Sequence, residues 1–261
     1  LSDAEIAIEI DPRNIDADKV KAYAECGVNR VSFGIQDFDQ KVMEAVNRPQ
    51  SYDLDRRAIG LCRESGISKI NLDIMYGLPH QTLQTMETCA GQTLSLDPDR
   101  IALFGYAHVP WMKKHMRLIQ EEALPSTAER LDLFEDTATR FEDAGYIPVG
   151  IDHFSRPDDG LTAALRDHRL HRNFQGYTDD NASYLVSFGA SAIGNVGDAY
   201  VQNLAFLPQY RERVEAGLLP IEKFCVLDES DILRGAIIED MMCSLSVNPL
   251  KIADETGFSD I

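Results

Sequence analysis

Three hydrogen-bonding side chains, Glu9, Gln36 and Asp73, stand at similar places in three segments of one pattern. The segments are Glu5-Ile-Ala-Ile-Glu-Ile-Asp11, Arg30-Val-Ser-Phe-Gly-Ile-Gln-Asp37 and Lys69-Ile-Asn-Leu-Asp-Ile-Met-Tyr-Gly77. In each, large aliphatics alternate with small or polar residues. Two carboxylates and an amide gathered near strand ends accept hydrogen bonds from ribose hydroxyls or from a cationic group of a ligand. A buried carboxylate is costly without a partner, so each also implies a donor nearby. Taken singly, each is as readily a cap or a supporting hydrogen bond; the parallel placement of all three favours a ligand site. Arg48, in Val46-Asn-Arg-Pro49, has a guanidinium suited to gripping a carboxylate through two hydrogen bonds. Asp152-His153 and the donor-rich run His171-Arg-Asn-Phe-Gln-Gly-Tyr-Thr178 are further candidates, although a lone histidine is more often structural than catalytic. No nucleophile elbow, phosphate-binding glycine loop or H-E-x-x-H occurs, which leaves hydrolase and nucleotidase readings little support.

The elements that must hold these groups alternate in the first third of the chain. A strand ends at Asp11. A helix over 15–26 buries Val20, Tyr23 and Ala24 and stops at Gly27. A strand over 31–36 follows, then a helix capped by Ser51 and closed by Gly66. A strand over 70–75, a helix over 82–96 and a fourth strand over 101–108 complete the series. Strands separated by helices form a parallel sheet through right-handed crossovers. Such sheets are covered on both faces and read as continuously hydrophobic. Here Val31, Phe33 and Ile35 oppose Ser32, Gly34 and Gln36, and Ile70, Leu72 and Ile74 oppose Asn71 and Asp73. One face packs on helices and the other is small and polar, as in a curled sheet with a ligand inside. Beyond Pro110, Ser126-Thr-Ala-Glu129 is a capping box opening a helix that ends at Gly145. The pattern then predicts a strand over 146–154, an irregular stretch over 156–180, a strand over 184–193 and helices over 208–216 and 229–244.

Composition sets the outer limits. The chain has 261 residues and a formal net charge of −18. That charge argues against nucleic acid or an anionic membrane as partner, and it requires local arginines wherever an anion binds. No apolar run approaches the roughly 20 residues of a membrane span. The five cysteines, at 26, 62, 89, 225 and 243, form no close pair, which suggests reduced thiols in the cytoplasm.

With these residues in view, the chain resembles the oxygen-independent coproporphyrinogen III oxidases of the radical S-adenosylmethionine superfamily. The matching segments are Ile8-Glu-Ile-Asp-Pro-Arg13, Gly27-Val-Asn-Arg-Val-Ser-Phe-Gly-Ile-Gln-Asp-Phe38, Val46-Asn-Arg48, Asn71-Leu-Asp-Ile-Met-Tyr-Gly-Leu-Pro79, Tyr106-Ala-His108, Gly150-Ile-Asp-His-Phe154, Arg156-Pro-Asp-Asp159 and His171-Arg-Asn-Phe-Gln-Gly-Tyr-Thr178. The resemblance implies an α/β fold, part of a (β/α)6 barrel with parallel strands over 1–124, followed by an α+β extension over 125–261. It implies a [4Fe-4S] cluster and two S-adenosylmethionine molecules. Glu9 and Ala107 fall where the family holds the cofactor at the cluster; Gln36, Arg48, Asp73 and Ile193 fall where it holds the second. The implied reaction is oxidative decarboxylation of two propionates of coproporphyrinogen III to vinyls, giving protoporphyrinogen IX, in a cytoplasmic monomer. An adenosyl radical takes hydrogen from the propionate β-carbon, carbon dioxide leaves, and an electron passes to an acceptor that the sequence does not name. Arg156 and Arg172 are candidates for meeting the carboxylates of this tetrapyrrole.

The family's C-x-x-x-C-x-x-C cluster motif and the glycine-rich segment after it are absent from this sequence. The chain therefore reads as an interior piece of a longer protein, expected to lack the cluster and the activity, with no metal ligand of its own. An alternative from the same superfamily is a haem chaperone, which usually has Gln-Ser where this chain has Gln36-Asp37 and lacks the run at 171–178.

Overall fold

The computed structural model describes residues 4–257, the side chain at 255 apart. Two compact units, 1–162 and 163–261, divide it.

In the first unit, β1 (Ala7–Ile10), β2 (Arg30–Gln36), β3 (Lys69–Tyr76) and β4 (Arg100–Gly105) lie side by side in chain order, all parallel. Helices α1 (Ala17–Glu25), α2 (Gln40–Ala45), α3 (Tyr52–Glu64) and α4 (Leu83–Ser95) make the crossovers. Helix α5 (Thr127–Asp143) follows, and then β5 (Ile147–Val149) and β6 (His153–Ser155) form a hairpin whose second strand pairs antiparallel with β4. The six-stranded sheet has the order β1-β2-β3-β4-β6-β5. Its helix-covered face carries the core: Val31, Phe33, Ile35, Ile70, Leu72, Ile74, Ile101 and Leu103 are fully buried. Each such aliphatic contributes roughly 1.5–3 kcal/mol of burial. The opposite face holds Ser32, Gly34, Gln36, Asn71 and Asp73, as the alternation predicts.

The helix ends follow their sequence signals. Ser51 accepts from the Leu54 N–H; Thr82 and Ser126 close capping boxes with Thr85 and Glu129. Helix α1 is capped by Asp16, whose side chain accepts from the Lys19 N–H, and runs to Glu25, with Gly27 in the left-handed conformation beyond it.

Several expectations are corrected. The stretch 146–154 is a hairpin, not one strand, because Gly150 turns the chain at positive φ. Strand β4 stops at Gly105; Tyr106 leaves the sheet and packs with Val42 and Leu78. The first compact unit runs to 162, past the 124/125 division expected between barrel and extension, which itself stays an expectation. The physical reason is pairing: β6 hydrogen-bonds β4, so the hairpin belongs to the same sheet.

The second unit begins within α6 (Gly160–Arg166). Then come the hairpin β7 (His171–Asn173) and β8 (Gly176–Thr178), the strands β9 (Ile193–Asn195) and β10 (Ala199–Asn203), α7 (Leu207–Glu215), β11 (Ile221–Val226), α8 (Glu229–Ser244) and α9 (Pro249–Thr256). Strands β9, β10 and β11 form a small antiparallel sheet in the order β11-β10-β9. The segment 184–192 is no strand; only Leu185 bridges Asn195. The stretch 156–180, read as irregular, contains α6 and the β7–β8 hairpin. Among the described residues, no helix is long and apolar enough to cross a membrane.

Candidate cofactor-binding site

Three predicted site residues converge around Gly34. Gly34 pairs with Asp73 across β2 and β3. A Cβ built on Gly34 would lie 3.0 Å from Gln36 Nε2 and 3.2 Å from Arg48 Nη2. The missing side chain is thus the space that the amide and the guanidinium occupy. Arg48 reaches there from the loop after α2, and its Nη2 donates to the Gly34 carbonyl at 2.6 Å.

Gln36 ends β2 in a strained conformation. Its φ is +73°, left-handed for a residue with a side chain, and the β2–β3 register shifts between Gly34 and Gln36. Bulges and left-handed side-chain residues cluster where a strand end must aim a group. The Gln36 Oε1 atom is buried and accepts no hydrogen bond among the described residues.

Asp73 is half-buried, and the Ser32 hydroxyl donates to its Oδ1 at a long 3.4 Å. Burial pushes this carboxyl up to about 6, the Glu9 carboxylate adds repulsion, and His153 and Ser32 oppose the shift. Glu9 is therefore close enough to act on Asp73, although its side chain is exposed on the edge strand β1. His153, on β6, pairs with Ala102, which itself pairs with Asp73; the small alanine opens the way between them. Asp152 Oδ1 lies 2.6 Å from His153 Nδ1, and the ring meets Phe104 edge-on at 5.7 Å. The sequence candidate Asp152-His153 is thus on the same face as Asp73.

A second buried network steadies the rim. Asp37, fully buried, accepts from the backbone N–H groups of Phe38 and Asp39 at 2.6 and 2.8 Å. Gln81 Nε2 donates to Asp37 Oδ2 at 2.6 Å and to the Met75 carbonyl at 2.8 Å, and Gln81 Oε1 accepts from the Leu78 N–H. The turn after β3 is thereby tied to the turn after β2, next to Gln36.

The remaining candidates fall elsewhere. Ala107 is exposed in the irregular segment after β4. Arg156 lies at the opposite end of the sheet, where its Nε donates to the Pro98 carbonyl at 2.9 Å and its Nη2 pairs with Asp97. Its place beside the first residue of β4 takes it away from the Gly34 cluster. Arg172 and Ile193 belong to the second unit. The Arg172 guanidinium stacks 4.6 Å over the Tyr177 ring, with its Nη1 buried and without a hydrogen-bond partner among the described residues. Ile193 begins β9, opposite Gln202. Sequence reading missed Gln50 and Asp55, which stand behind Arg48. The Gln50 Oε1 accepts from Arg48 Nε at 3.3 Å, and Gln50 Nε2 donates to Asp55 Oδ1 at 2.8 Å.

An acceptor pair, an amide with unused capacity and a neutral-partnered arginine on one polar sheet face suit a nucleoside-bearing amino acid. Comparison with known proteins points the same way. Residues 1–91 match the Radical SAM superfamily. The chain is 45% identical over 95% of its length to an oxygen-independent coproporphyrinogen III oxidase of Bradyrhizobium diazoefficiens, and 42% identical over 98% to that of Paracoccus denitrificans. The solved structure of coproporphyrinogen III oxidase (HemN) from Escherichia coli, a radical SAM enzyme, superposes with a TM-score of 0.92 at 37% identity over 98% of this chain.

The chain is thus similar, over nearly its whole length, to oxygen-independent coproporphyrinogen III oxidases. It spans 55% and 56% of the two curated relatives and 59% of the E. coli chain. Its fold is that of a radical SAM protein, α/β with a largely parallel central sheet. The superfamily implies S-adenosylmethionine and an iron–sulfur cluster. The residues at Gly34 fit the first: the orphaned buried Gln36 oxygen and Arg48 offer what its amino-acid end requires. They do not fit the second, since no group of three metal-ligating side chains occurs among the described residues.

Proposed function

We propose that the whole protein carries out oxygen-independent oxidative decarboxylation of coproporphyrinogen III to protoporphyrinogen IX. The observation that carries this reading is the convergence of Gln36, Arg48 and Asp73 on Gly34. It adds chemistry to a likeness that extends over nearly the whole chain. When bound, S-adenosylmethionine supplies the hydrogen-abstracting fragment. In this reading Arg48 grips the cofactor's carboxylate, the Gln36 amide meets its ammonium or carboxylate, and Asp73 accepts from a ribose hydroxyl. In the same reading two cofactors are bound, Glu9 and Ala107 serving one and Gln36, Arg48, Asp73 and Ile193 the other. Arg172, with its unused Nη1, is the better of the two candidates for a substrate carboxylate, because Arg156 is engaged at the far end of the sheet. A cytoplasmic, monomeric protein is part of the same reading, and the five free cysteines fit a reducing compartment.

The test is anaerobic turnover. Full-length protein given coproporphyrinogen III, S-adenosylmethionine, a reductant to start cofactor cleavage and a one-electron acceptor should release carbon dioxide and form protoporphyrinogen IX. Tight haem binding without release of carbon dioxide would overturn the reading in favour of a haem chaperone.

A further inference from the structure

Asp55 is a buried carboxylate that the fold itself does not explain. It lies in the first turn of α3, where the cap is already supplied by Ser51. It is 1% exposed. Its Oδ1 accepts one hydrogen bond, from Gln50, and its Oδ2 accepts none among the described residues. A hydrophobic residue of similar size would fill the position without that desolvation cost.

Its one partner leads to the ligand site. A carboxylate oxygen without a proton only accepts, so the Gln50 NH2 must face Asp55. The Gln50 carbonyl oxygen is then turned toward Arg48 Nε, where it accepts at 3.3 Å. An amide freed from Asp55 can rotate and present its NH2 to the guanidinium, a donor facing a donor. On the other side, Arg48 Nη2 is anchored to the Gly34 carbonyl at 2.6 Å. Two anchors fix the planar fork. Preorganising a guanidinium in this way lowers the entropy lost when it grips a carboxylate.

We propose that Asp55 is a positioning residue: through Gln50 it sets the direction in which Arg48 presents its guanidinium to the carboxylate of the bound ligand. The inference rests on reading Arg48 as that ligand's carboxylate clamp. Burial pushes the Asp55 carboxyl up to about 7, with Gln50 and Arg48 lowering it and Asp11 raising it. A proton taken up there sits on Oδ2, the oxygen without a partner, and leaves Oδ1 accepting from Gln50. The relay therefore holds in either protonation state.

The experiment is calorimetric titration of the full-length protein with two probes. S-Adenosylhomocysteine carries the amino-acid carboxylate; methylthioadenosine has the same adenosine and lacks it. Asp55→Leu and Gln50→Leu should each weaken S-adenosylhomocysteine by about five- to tenfold at the site that depends on Arg48, and leave methylthioadenosine unchanged. Asp55→Asn, which keeps the accepting oxygen, should stay within about twofold of wild type. In an Arg48→Ala background, Asp55→Leu should have no further effect. Equal weakening of both probes, the same loss with and without Arg48, or no loss in either Leu variant overturns the relay. If Arg48→Ala itself leaves S-adenosylhomocysteine binding intact, the reading of the arginine has failed, and the relay falls with it. Thermal melting shows which variants are folded, and Gln50→Leu cuts the same relay should Asp55→Leu fail to fold.

Discussion

The two ends of the first unit's sheet handle charge in opposite ways. At the amino ends of the strands, cations meet anions. Arg100 Nε donates to Asp159 at 2.8 Å, Arg30 lies 3.6 Å from the same carboxylate and 3.0 Å from Glu5, and Arg156 pairs with Asp97. Arg30, Arg100 and Asp159 are all buried. At the carboxyl ends Asp11 pairs with Arg13 at 2.6 Å, but around Gly34 capacity is left over. Glu9 repels Asp73, Gln36 is strained with an unused oxygen, and Arg48 has only neutral hydrogen-bond partners. One end balances its charges in buried ion pairs and contributes to the fold, although Arg30 Nε and Asp159 Oδ2 lack hydrogen-bond partners among the described residues. The other is incomplete in the way a ligand completes. The same contrast separates the two Asp–Gln pairs at the carboxyl ends: Asp37 has three donors and ties two turns together, whereas Asp55 has one and leads to Arg48.

The largest effect should come from the compensated end. Asp159→Ala leaves two arginines buried without their shared counter-charge, which costs about 3–5 kcal/mol. Denaturant unfolding should show that loss, while affinity for S-adenosylhomocysteine in the folded fraction stays at the wild-type value. A parallel fall in affinity would break the division between the ends.

Asp73 gives an effect of intermediate size and a definite sign. Its carboxyl holds a proton in the folded state up to about 6, against an ordinary value of 3.8. The folded state therefore binds more protons than the unfolded state between these values. The contribution of Asp73 to stability therefore falls as pH rises through that window and levels off above it. Asp73→Asn keeps an acceptor for Ser32 and removes the charge. Its stability relative to wild type should rise from about pH 4 to about pH 6, by up to about 3 kcal/mol. Melting curves at several pH values check this. A pH-independent difference would mean that Asp73 is as well compensated as the groups at the opposite end.

How much of this was legible beforehand depends on the range of the interaction. The polar face was readable because Ser32, Gly34, Gln36, Asn71 and Asp73 alternate with aliphatics along two strands. Helix starts at Ser51, Thr82 and Ser126 were readable because the capping group and its partner lie within three residues. Helix α8 has the bounds expected from its pattern, Glu229–Ser244. Short elements were missed: α2 has only six residues, too few for a periodic signal, and Gly150 breaks a run that otherwise looks like one strand. The engagement of Arg156 with Asp97 is not legible either, because a partner across 59 residues leaves no local trace. Gln50 and Asp55 were passed over for a similar reason. Nothing in their own neighbourhood distinguishes them from the solvated Asp53 and Arg56 beside them.

The smallest effect concerns Gln36, and it sets stability against binding at one residue. A left-handed φ costs a side-chain-bearing residue about 1–2 kcal/mol, and glycine avoids that cost. Gln36→Gly should therefore fold at least as well as wild type, with a gain of up to about 1 kcal/mol after the greater flexibility of its unfolded chain is subtracted. It also removes the amide beside Arg48, so S-adenosylhomocysteine should bind more weakly. Strain retained at a position where glycine would relieve it is hard to explain by folding alone. Paired melting and calorimetric measurements on this variant decide the matter. A loss of stability with unchanged affinity would move Gln36 out of the ligand site and make the strain a feature of the bulge.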